Sequence, residues 1–422
     1  MERINRDKYL DKLIESCGNG MIKVVTGMRR CGKSFLIFTI FKDYLLLHGV
    51  PADHIIEVDL ENRLNKPLRD PDALLHHIYD RLTDEGHYYV LLDEVQLVPE
   101  FEDVLNSFLK MQHVDVFVTG SNARFLSKDV ITEFRGRGDE IRIHPLTFRE
   151  FSLFRGSTSE AVVREYMLYG GLPQVVLEPN TLKKENYLRQ QMERTYLRDL
   201  KERHGIQQDD DLSELVTIMA SCVGSLTNPP KIADTFRSVK HHCLSVDTIR
   251  QYLEYMEDAF VLERSIRYDI KGRRYIDSPY KYYFEDLGLR NARLGFRQTE
   301  EPHLMENLIY NELRACGFSV DVGQIYTEHR TDDGHRQRQT LEVDFVCNCG
   351  YRRVYIQSAH AMPTDAKQDQ ELASLRKLRD GFRRIVITAG LQPTHMNDDG
   401  VFIVNLQDFL ATPEHFIDAA NP

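Results

Sequence analysis

The sequence predicts an α/β protein whose amino-terminal part is a parallel β-sheet flanked by helices. Two observations predict this fold. Three short runs of apolar and β-branched residues, at 21–26, 87–92 and 114–119, have the length and composition of buried strands. The first run enters a glycine-containing turn and then a helical segment at 35–47. Strands that alternate with helices in this way form parallel sheets covered by helices.

Composition sets the protein class. The chain has 422 residues, enough for about three domains, and its 42% hydrophobic and 28% charged residues are typical of a globular protein. No run approaches the roughly 20 apolar residues of a membrane-spanning helix, and residues 1–13 are too charged for a signal peptide, so we expect a cytoplasmic protein. Seven unpatterned cysteines agree with a reducing compartment. Because the net charge is -11, any nucleic-acid site has to be a local basic patch.

A phosphate-binding loop is the strongest motif. Residues 27–34 read GMRRCGKS, which satisfies GxxxxGK[ST] between a strand and a helix. Glycines let successive N–H groups point at phosphate oxygens, Lys33 reaches the β- and γ-phosphates, and the Ser34 hydroxyl can bind magnesium. The alternative is an ordinary glycine turn. The predicted nucleotide-binding residues are Gly27, Met28, Arg29, Arg30, Cys31, Gly32, Lys33, Ser34 and Phe35.

An acidic pair ends the second predicted strand. Residues 87–92 are followed directly by Asp93 and Glu94. In this position Asp93 would hold the magnesium ion together with Ser34, and Glu94 would polarise the attacking water, which favours ATP hydrolysis over nucleotide storage. The alternative is a solvated acidic turn. The sequence therefore predicts ATP and Mg²⁺ as ligands.

Two further polar segments are candidates for catalysis. The strand at 114–119 leads to Ser121 and Asn122, either of which could sense the γ-phosphate. Arg135 and Arg137 could neutralise transition-state charge in cis or from a neighbouring protomer, so oligomerisation stays open, or they could belong to a solvated basic loop. The predicted catalytic residues are Glu94, Lys33, Asn122 and Arg137.

These motifs occur in an order that resembles a known family. The runs GMRRCGKS, LLDEVQ, TGSNARFLS and GRGDEIRIHPLTFREF resemble the AAA-type ATP-binding proteins of bacteria and archaea that carry a carboxy-terminal domain of unknown function. The resemblance extends over essentially the whole chain. It implies an ASCE-type P-loop domain with strand order 5-1-4-3-2, in which residues 27–34, Asp93 and Glu94 bind nucleotide and catalyse its hydrolysis.

The middle of the chain predicts a winged helix. Helical segments at 212–223, from 229, and at 245–257 are followed by two β-rich runs around residues 271–274. Residues 229–299 contain 13 Lys and Arg against 10 Asp and Glu, a small basic excess. The module either binds DNA or docks a protein. The candidate DNA contacts are Arg250, Lys271, Arg273 and Arg274.

The last segment resembles a restriction-endonuclease core. Its predicted order is close to αβββαβ, and Glu306, Asp344 and Gln357 fall at the positions of the acidic and Glu/Gln residues of that core. Ala359 occupies the position of the catalytic lysine, so the resemblance implies a nuclease-like domain that has lost its activity. The alternative is that these residues have ordinary structural roles.

Together these observations predict an ATPase that acts as a nucleotide-driven switch coupled to carboxy-terminal interaction modules. The alternative is a DNA-binding regulator or nuclease in which ATP is only an assembly ligand. The partner is DNA or a protein, and no membrane role is expected. The predicted domains are a P-loop domain at 1–155, a helical connector at 156–208, a winged-helix-like module at 209–299 and a nuclease-like domain at 300–422.

Overall fold

The computed structural model describes residues 3–111, 113–120, 136–206, 209–240, 244–298, 300–330, 336–390 and 392–418. The chain forms two compact units. The first comprises residues 1–145 with 257–260, and the second comprises 146–256 with 261–422. The first unit therefore ends ten residues before the predicted boundary at 155.

The first unit contains one parallel sheet of five strands. Its strand order is β2-β3-β4-β1-β5, with all neighbours parallel, which is the order implied by the family resemblance. The α/β fold class is confirmed. The strands are β1 (Ile22–Thr26), β2 (Ile55–Asp59), β3 (Tyr88–Asp93), β4 (Val114–Thr119) and β5 (Gly138–Arg142).

Helices cover this sheet and bury apolar side chains of the strands. On one face, the helices Pro71–Tyr79 and Phe101–Phe108 pack on a cluster that includes Val24, Val90 and Val118. The Phe41 ring also packs against the Phe117 ring of β4, tilted by 51° with ring centroids 4.7 Å apart. The remaining helical segments of this unit are Asp7–Ser16, the consecutive segments Lys33–Phe35, Leu36–Phe41 (a π-helix) and Lys42–Leu47, and the 3₁₀ turns Ala52–His54, Arg63–Arg69 and Val95–Leu97.

The second unit begins with helices. The predicted connector at 156–208 contains the helices Glu160–Tyr169 and Pro173–Leu177 and a long helical stretch from Thr181 to His204. None of the helices in the described residues has both the length and the apolar character needed to cross a bilayer. The helices of this unit are Phe148–Arg155, Glu160–Tyr169, Pro173–Leu177, Thr181–Gln190, Gln191–Leu197 (π), Arg198–His204, Asp209–Ser221, Pro229–Lys240, Val246–Asp258, Leu287–Arg293, Glu301–Ala315, Asp365–Leu372, Leu375–Lys377 (3₁₀), Leu406–Ala411 and Pro413–Asp418.

An eight-stranded sheet runs through the rest of this unit in the order β12-β13-β11-β10-β9-β8-β6-β7. β6 and β7 follow three helices, as predicted for a winged helix, but β6 also pairs in parallel with β8. The two modules predicted on either side of residue 299 thus share one sheet. Its strands are β6 (Leu262–Asp269), β7 (Arg274–Phe284), β8 (Ser319–Arg330), β9 (Arg336–Cys349), β10 (Arg352–Ala359), β11 (Arg383–Thr388), β12 (His395–Met396) and β13 (Phe402–Asn405).

Candidate nucleotide-binding site

The phosphate loop leaves strand β1, which lies between β4 and β5, in a conformation that requires glycine. Gly27 has φ of 139°, and a Cβ atom there would lie 2.2 Å from the carbonyl oxygen of Ile143. Gly32, just before the helical segment that begins at Lys33, has φ of 104°. Both angles lie in the region that side chains other than glycine rarely adopt. The two glycines of the motif therefore fix the curl of this loop.

Lys33 lies buried beneath the loop. Its Nζ atom donates hydrogen bonds to the carbonyl oxygens of Gly27 and Met28, both at 2.9 Å. An ammonium group has three N–H donors, so one of them is not used by these two bonds. The lysine is therefore held at the loop with a donor available for an anionic oxygen.

Ser34, Asp93 and Thr119 form a hydrogen-bonded chain at the carboxyl ends of the strands. Ser34 Oγ donates to Asp93 Oδ1 at 3.0 Å, and Thr119 Oγ1 donates to the same oxygen. Thr119 Oγ1 also accepts from the Glu94 backbone N–H at 2.9 Å. These hydrogen bonds connect the phosphate loop to the ends of β3 and β4. Thr119 was not singled out from the sequence, although its position as the last residue of β4 was a usable signal.

The pKa of Asp93 is raised above its usual value. Burial raises its pKa, hydrogen bonds from Thr119 and Ser34 lower it, and the nearby carboxylates of Glu94 and Asp59 raise it again. A divalent cation would favour the ionised carboxylate, so metal binding here should weaken as the pH falls through this raised pKa.

Glu94 is held in a strained backbone conformation. Its φ of 51° is left-handed, which costs a non-glycine residue roughly 1–3 kcal/mol and is a recurring feature of functional sites. Its side chain is half-buried and accepts a hydrogen bond from Gln96 Nε2. Gln96 is a second residue that the sequence analysis missed.

The remaining predicted nucleotide-binding residues differ in exposure. Met28 and Cys31 are fully buried, and Cys31 Sγ lies 3.7 Å from the Ile143 carbonyl oxygen, so both side chains fill space below the loop. Arg30 and Phe35 are exposed. Arg29 lies 3.9 Å from Glu61, and this exposed pair contributes little stability.

The predicted catalytic residues after β4 are placed differently. Ser121, Asn122 and Arg135 lie outside the described residues. Arg137 precedes β5, where its carbonyl oxygen accepts from Ile22 N–H at the start of β1. The loop follows the other end of β1, about 13 Å further along the strand. The structure therefore does not bring Arg137 to the phosphate loop of its own chain, and only its role in trans stays a prediction.

The oxygen donors fit magnesium. Mg²⁺ prefers hard oxygen ligands and few protein groups, and Ser34 Oγ and the Asp93 carboxylate are brought to hydrogen-bonding distance by separate elements. The glycine-dependent curl of the loop and the buried Lys33 fit a triphosphate. Asp59, paired with Asp93 in the β2–β3 register, adds a second carboxylate at this edge.

Known proteins match this chain over nearly its whole length. An uncharacterized protein of Haemophilus influenzae is 30% identical over 413 residues, which cover 96% of this chain and 98% of that protein. The chain belongs to the family of this protein. Residues 19–152 match the family model described as AAA domain, and residues 160–300 match a domain of unknown function, DUF8612. The amino-terminal unit thus carries a P-loop ATPase domain.

More distant proteins match as well. The uncharacterized protein MJ1544 of Methanocaldococcus jannaschii is 26% identical over 98% of this chain and 89% of its own length. Among solved structures, the Walker-type ATPase PABY2304 of Pyrococcus abyssi is 14% identical with a TM-score of 0.49, over 69% of this chain and 96% of that chain. The Aeropyrum pernix Orc1 protein is 12% identical with a TM-score of 0.30, over 72% and 94%.

The residues of the predicted nuclease-like site also come together, in the second unit. Asp344 N–H donates to Gln357 Oε1 at 3.3 Å, and Glu306 and Asp344 both contact one ammonium group. That group is Lys281 Nζ, from β7, which lies 2.9 Å from Glu306, 2.8 Å from Glu342 and 3.5 Å from Asp344. We call Lys281, Glu306, Glu342 and Asp344 the acidic cluster.

Lys281 corrects part of the sequence interpretation. Ala359 does occupy the position expected for the catalytic lysine. Lys281, however, reaches the carboxylates from β7, which precedes them in the sequence. Sequence order concealed it, because only the sheet brings β7 close to β9. Its ammonium group lies among the carboxylates, and among the described residues no three or more His, Cys, Asp and Glu side chains are grouped so that they could hold a metal ion.

Burial dominates the electrostatics of the acidic cluster. Burial and the carboxylates of Glu306 and Glu342 raise the pKa of Asp344 and Lys281 lowers it, and together they give a pKa of about 7. Burial would lower the pKa of Lys281, but the three carboxylates raise it above its usual range. The lysine therefore remains charged and compensates buried carboxylates.

The predicted DNA contacts separate into two groups. Arg250 Nη1 donates to Asp247 Oδ1 at 2.7 Å, and Arg274 lies 3.6 Å from Asp269, so both have acidic partners. Lys271 and Arg273 are exposed and line a cavity of the second unit.

The Thr119 hydroxyl should stabilise the fold measurably. Thr119→Val nearly keeps the side-chain shape but removes the donor to Asp93 and the acceptor for the Glu94 N–H. We expect a loss of roughly 1–3 kcal/mol in the free energy of unfolding, measured by urea denaturation. Thr119→Ser, which keeps the hydroxyl, should stay close to wild type. Equal stability of Thr119→Val and wild type would contradict this role.

Lys281 should be essential for stability. Lys281→Met leaves three carboxylates without their cation, and we expect the free energy of unfolding to fall by about 3–5 kcal/mol. Adding Glu306→Gln and Asp344→Asn to Lys281→Met should recover part of this loss, because fewer charges remain buried. Urea denaturation of the three proteins measures both effects. A stable Lys281→Met protein would show that the cluster is not a compensated ion-pair network.

Proposed function

We propose that the protein is a magnesium-dependent ATPase that acts as a nucleotide-driven switch. The observation that carries the proposal is the hydrogen-bonded chain from Ser34 through Asp93 and Thr119 to the Glu94 backbone. This chain brings a hydroxyl, a metal-binding carboxylate and a candidate general base to the end of β3, beside a loop built for phosphates.

Each residue has a separate role in this proposal. Lys33 directs its remaining N–H donor to a phosphate oxygen, and Ser34 and Asp93 would hold Mg²⁺, which when bound neutralises phosphate charge. Glu94 accepts a proton from the attacking water. The left-handed backbone at Glu94 fixes the direction in which its side chain leaves the main chain. The hydrogen bond from Gln96 orients the Glu94 carboxylate.

The switch consists of an exchange of partners at the loop. In the structure, Ser34 donates to Asp93, and Lys33 donates to two loop carbonyl oxygens. When nucleotide is bound, Ser34 and Asp93 would hold Mg²⁺ and Lys33 would donate to a phosphate oxygen, so these contacts would be replaced. Because Thr119 forms hydrogen bonds with both Asp93 and the Glu94 backbone, this exchange of partners would also change the contacts at the end of β4. The second unit would report this state to a partner.

The acidic cluster has a structural role in this proposal. Lys281 Nζ already occupies the position between the carboxylates where a divalent cation would be needed for phosphodiester cleavage. We therefore assign no nuclease activity to the second unit.

Glu94→Gln should separate binding from hydrolysis. The amide cannot accept the proton of the attacking water, so we expect the rate of phosphate release from ATP to fall by about 10²–10⁴-fold. Affinity for ATP should change little, because Glu94 is not assigned to bind phosphate. Phosphate release and equilibrium binding of ATP to the variant measure the two effects.

Glu100→Gln is a matched control, because Glu100 is an exposed glutamate that also has a left-handed backbone. This variant should hydrolyse ATP at the wild-type rate. Unchanged hydrolysis by Glu94→Gln would refute the assignment of Glu94 as the base.

A further inference from the structure

A basic cavity lies in the second unit, and none of its lining residues belongs to either site described above. It has a volume of about 1020 Å³ and is lined by segments within 268–273, 348–353 and 376–382. We call it the basic groove. Seven of its 15 lining residues are Lys or Arg, and Asp380 is the one acidic residue among them. In a chain with net charge -11, this concentration of positive charge requires a functional explanation.

Four of these cations are available to a ligand. Lys271, Arg273, Lys377 and Arg379 are exposed, and none makes a side-chain hydrogen bond or ion pair with the residues that the structure describes. Arg376, by contrast, is paired at 2.7 Å with both Asp369 and Asp399. The available cations come from two separate parts of the chain, the turn between β6 and β7 and the segment before β11. Folding therefore brings these side chains to one cavity.

Aromatic rings line the same groove. Tyr351, at the turn between β9 and β10, is 94% exposed, and Phe382 is 39% exposed. The Arg353 guanidinium lies 5.2 Å from the Tyr268 ring centroid and 5.5 Å from that of Phe382, which keeps these rings in the wall of the groove. An exposed tyrosine offers a flat apolar face at little cost in conformational entropy.

We propose that the basic groove binds single-stranded nucleic acid. Cations that track a phosphate backbone, combined with aromatic faces on which bases stack, are the features that recognise single strands. A duplex is read by a convex element that enters its grooves, whereas this surface is concave. An acidic protein segment would satisfy the cations but would leave the aromatic faces unused. The proposal adds a ligand class beyond ATP and does not depend on hydrolysis.

Direct binding of an oligonucleotide tests the proposal. Full-length protein is titrated into fluorescein-labelled oligothymidylate, and fluorescence anisotropy is measured at several salt concentrations. We expect saturable binding that weakens as salt is added. For each phosphate contact, the logarithm of the binding constant should fall by about 0.7 per unit of the logarithm of the salt concentration. A duplex of matched length and polyglutamate should compete poorly with the labelled strand.

Two pairs of variants locate the site. Lys377→Glu with Arg379→Glu should weaken binding at least about tenfold and reduce the salt dependence. Arg149→Glu with Lys183→Glu makes the same change in net charge at exposed positions outside the groove and should bind like wild type. Tyr351→Ala should weaken binding roughly tenfold through lost stacking, whereas Tyr351→Phe should not.

The opposite results would overturn the proposal. The proposal is wrong if the wild-type protein does not bind oligothymidylate, or if the two charge-reversal pairs weaken binding equally. It is also wrong if duplex or polyglutamate competes more strongly than an unlabelled single strand. None of the substituted residues belongs to the nucleotide-binding site, so failure here leaves the ATPase proposal standing, and loss of ATPase activity leaves this proposal standing.

Discussion

The close passage of Gly27 beneath the carbonyl oxygen of Ile143 is the constraint on which the amino-terminal site depends. A Cβ atom at this position would lie 2.2 Å from that oxygen, so no other residue fits without moving the backbone. The passage directs the chain from β1 into the loop and brings Lys33 back beneath the loop carbonyls. The hydrogen bonds between Ser34, Asp93 and Thr119 then join the loop to the neighbouring strands.

The phosphate loop, Asp93 and Glu94 could be predicted because their function depends on local sequence. Glycine spacing, a lysine at a fixed offset and acids at a strand end are all visible without tertiary structure. The same is true of β4, whose bounds match the prediction of 114–119. Where a residue acts through its immediate neighbours along the chain, the sequence is sufficient.

Residues that act through the sheet could not be predicted in this way. Lys281 comes before the acids it contacts, and only the folded sheet together with the helix Glu301–Ala315 brings them together. The pairing of β8 with β6 joins two modules that the sequence divides near residue 299. Arg137 shows the opposite case, because its motif suggested catalysis while the parallel register places it at the start of β1.

Binding of a nonhydrolysable ATP analogue with Mg²⁺ tests the central claim most directly. Isothermal titration calorimetry compares wild type with Lys33→Ala, and with Lys66→Ala as a control at an exposed lysine. The account predicts saturable binding to wild type and to Lys66→Ala, and a loss of roughly tenfold to a hundredfold in affinity for Lys33→Ala, because a charged hydrogen bond to phosphate is removed. Unchanged affinity of Lys33→Ala, or no binding by wild type, would contradict it.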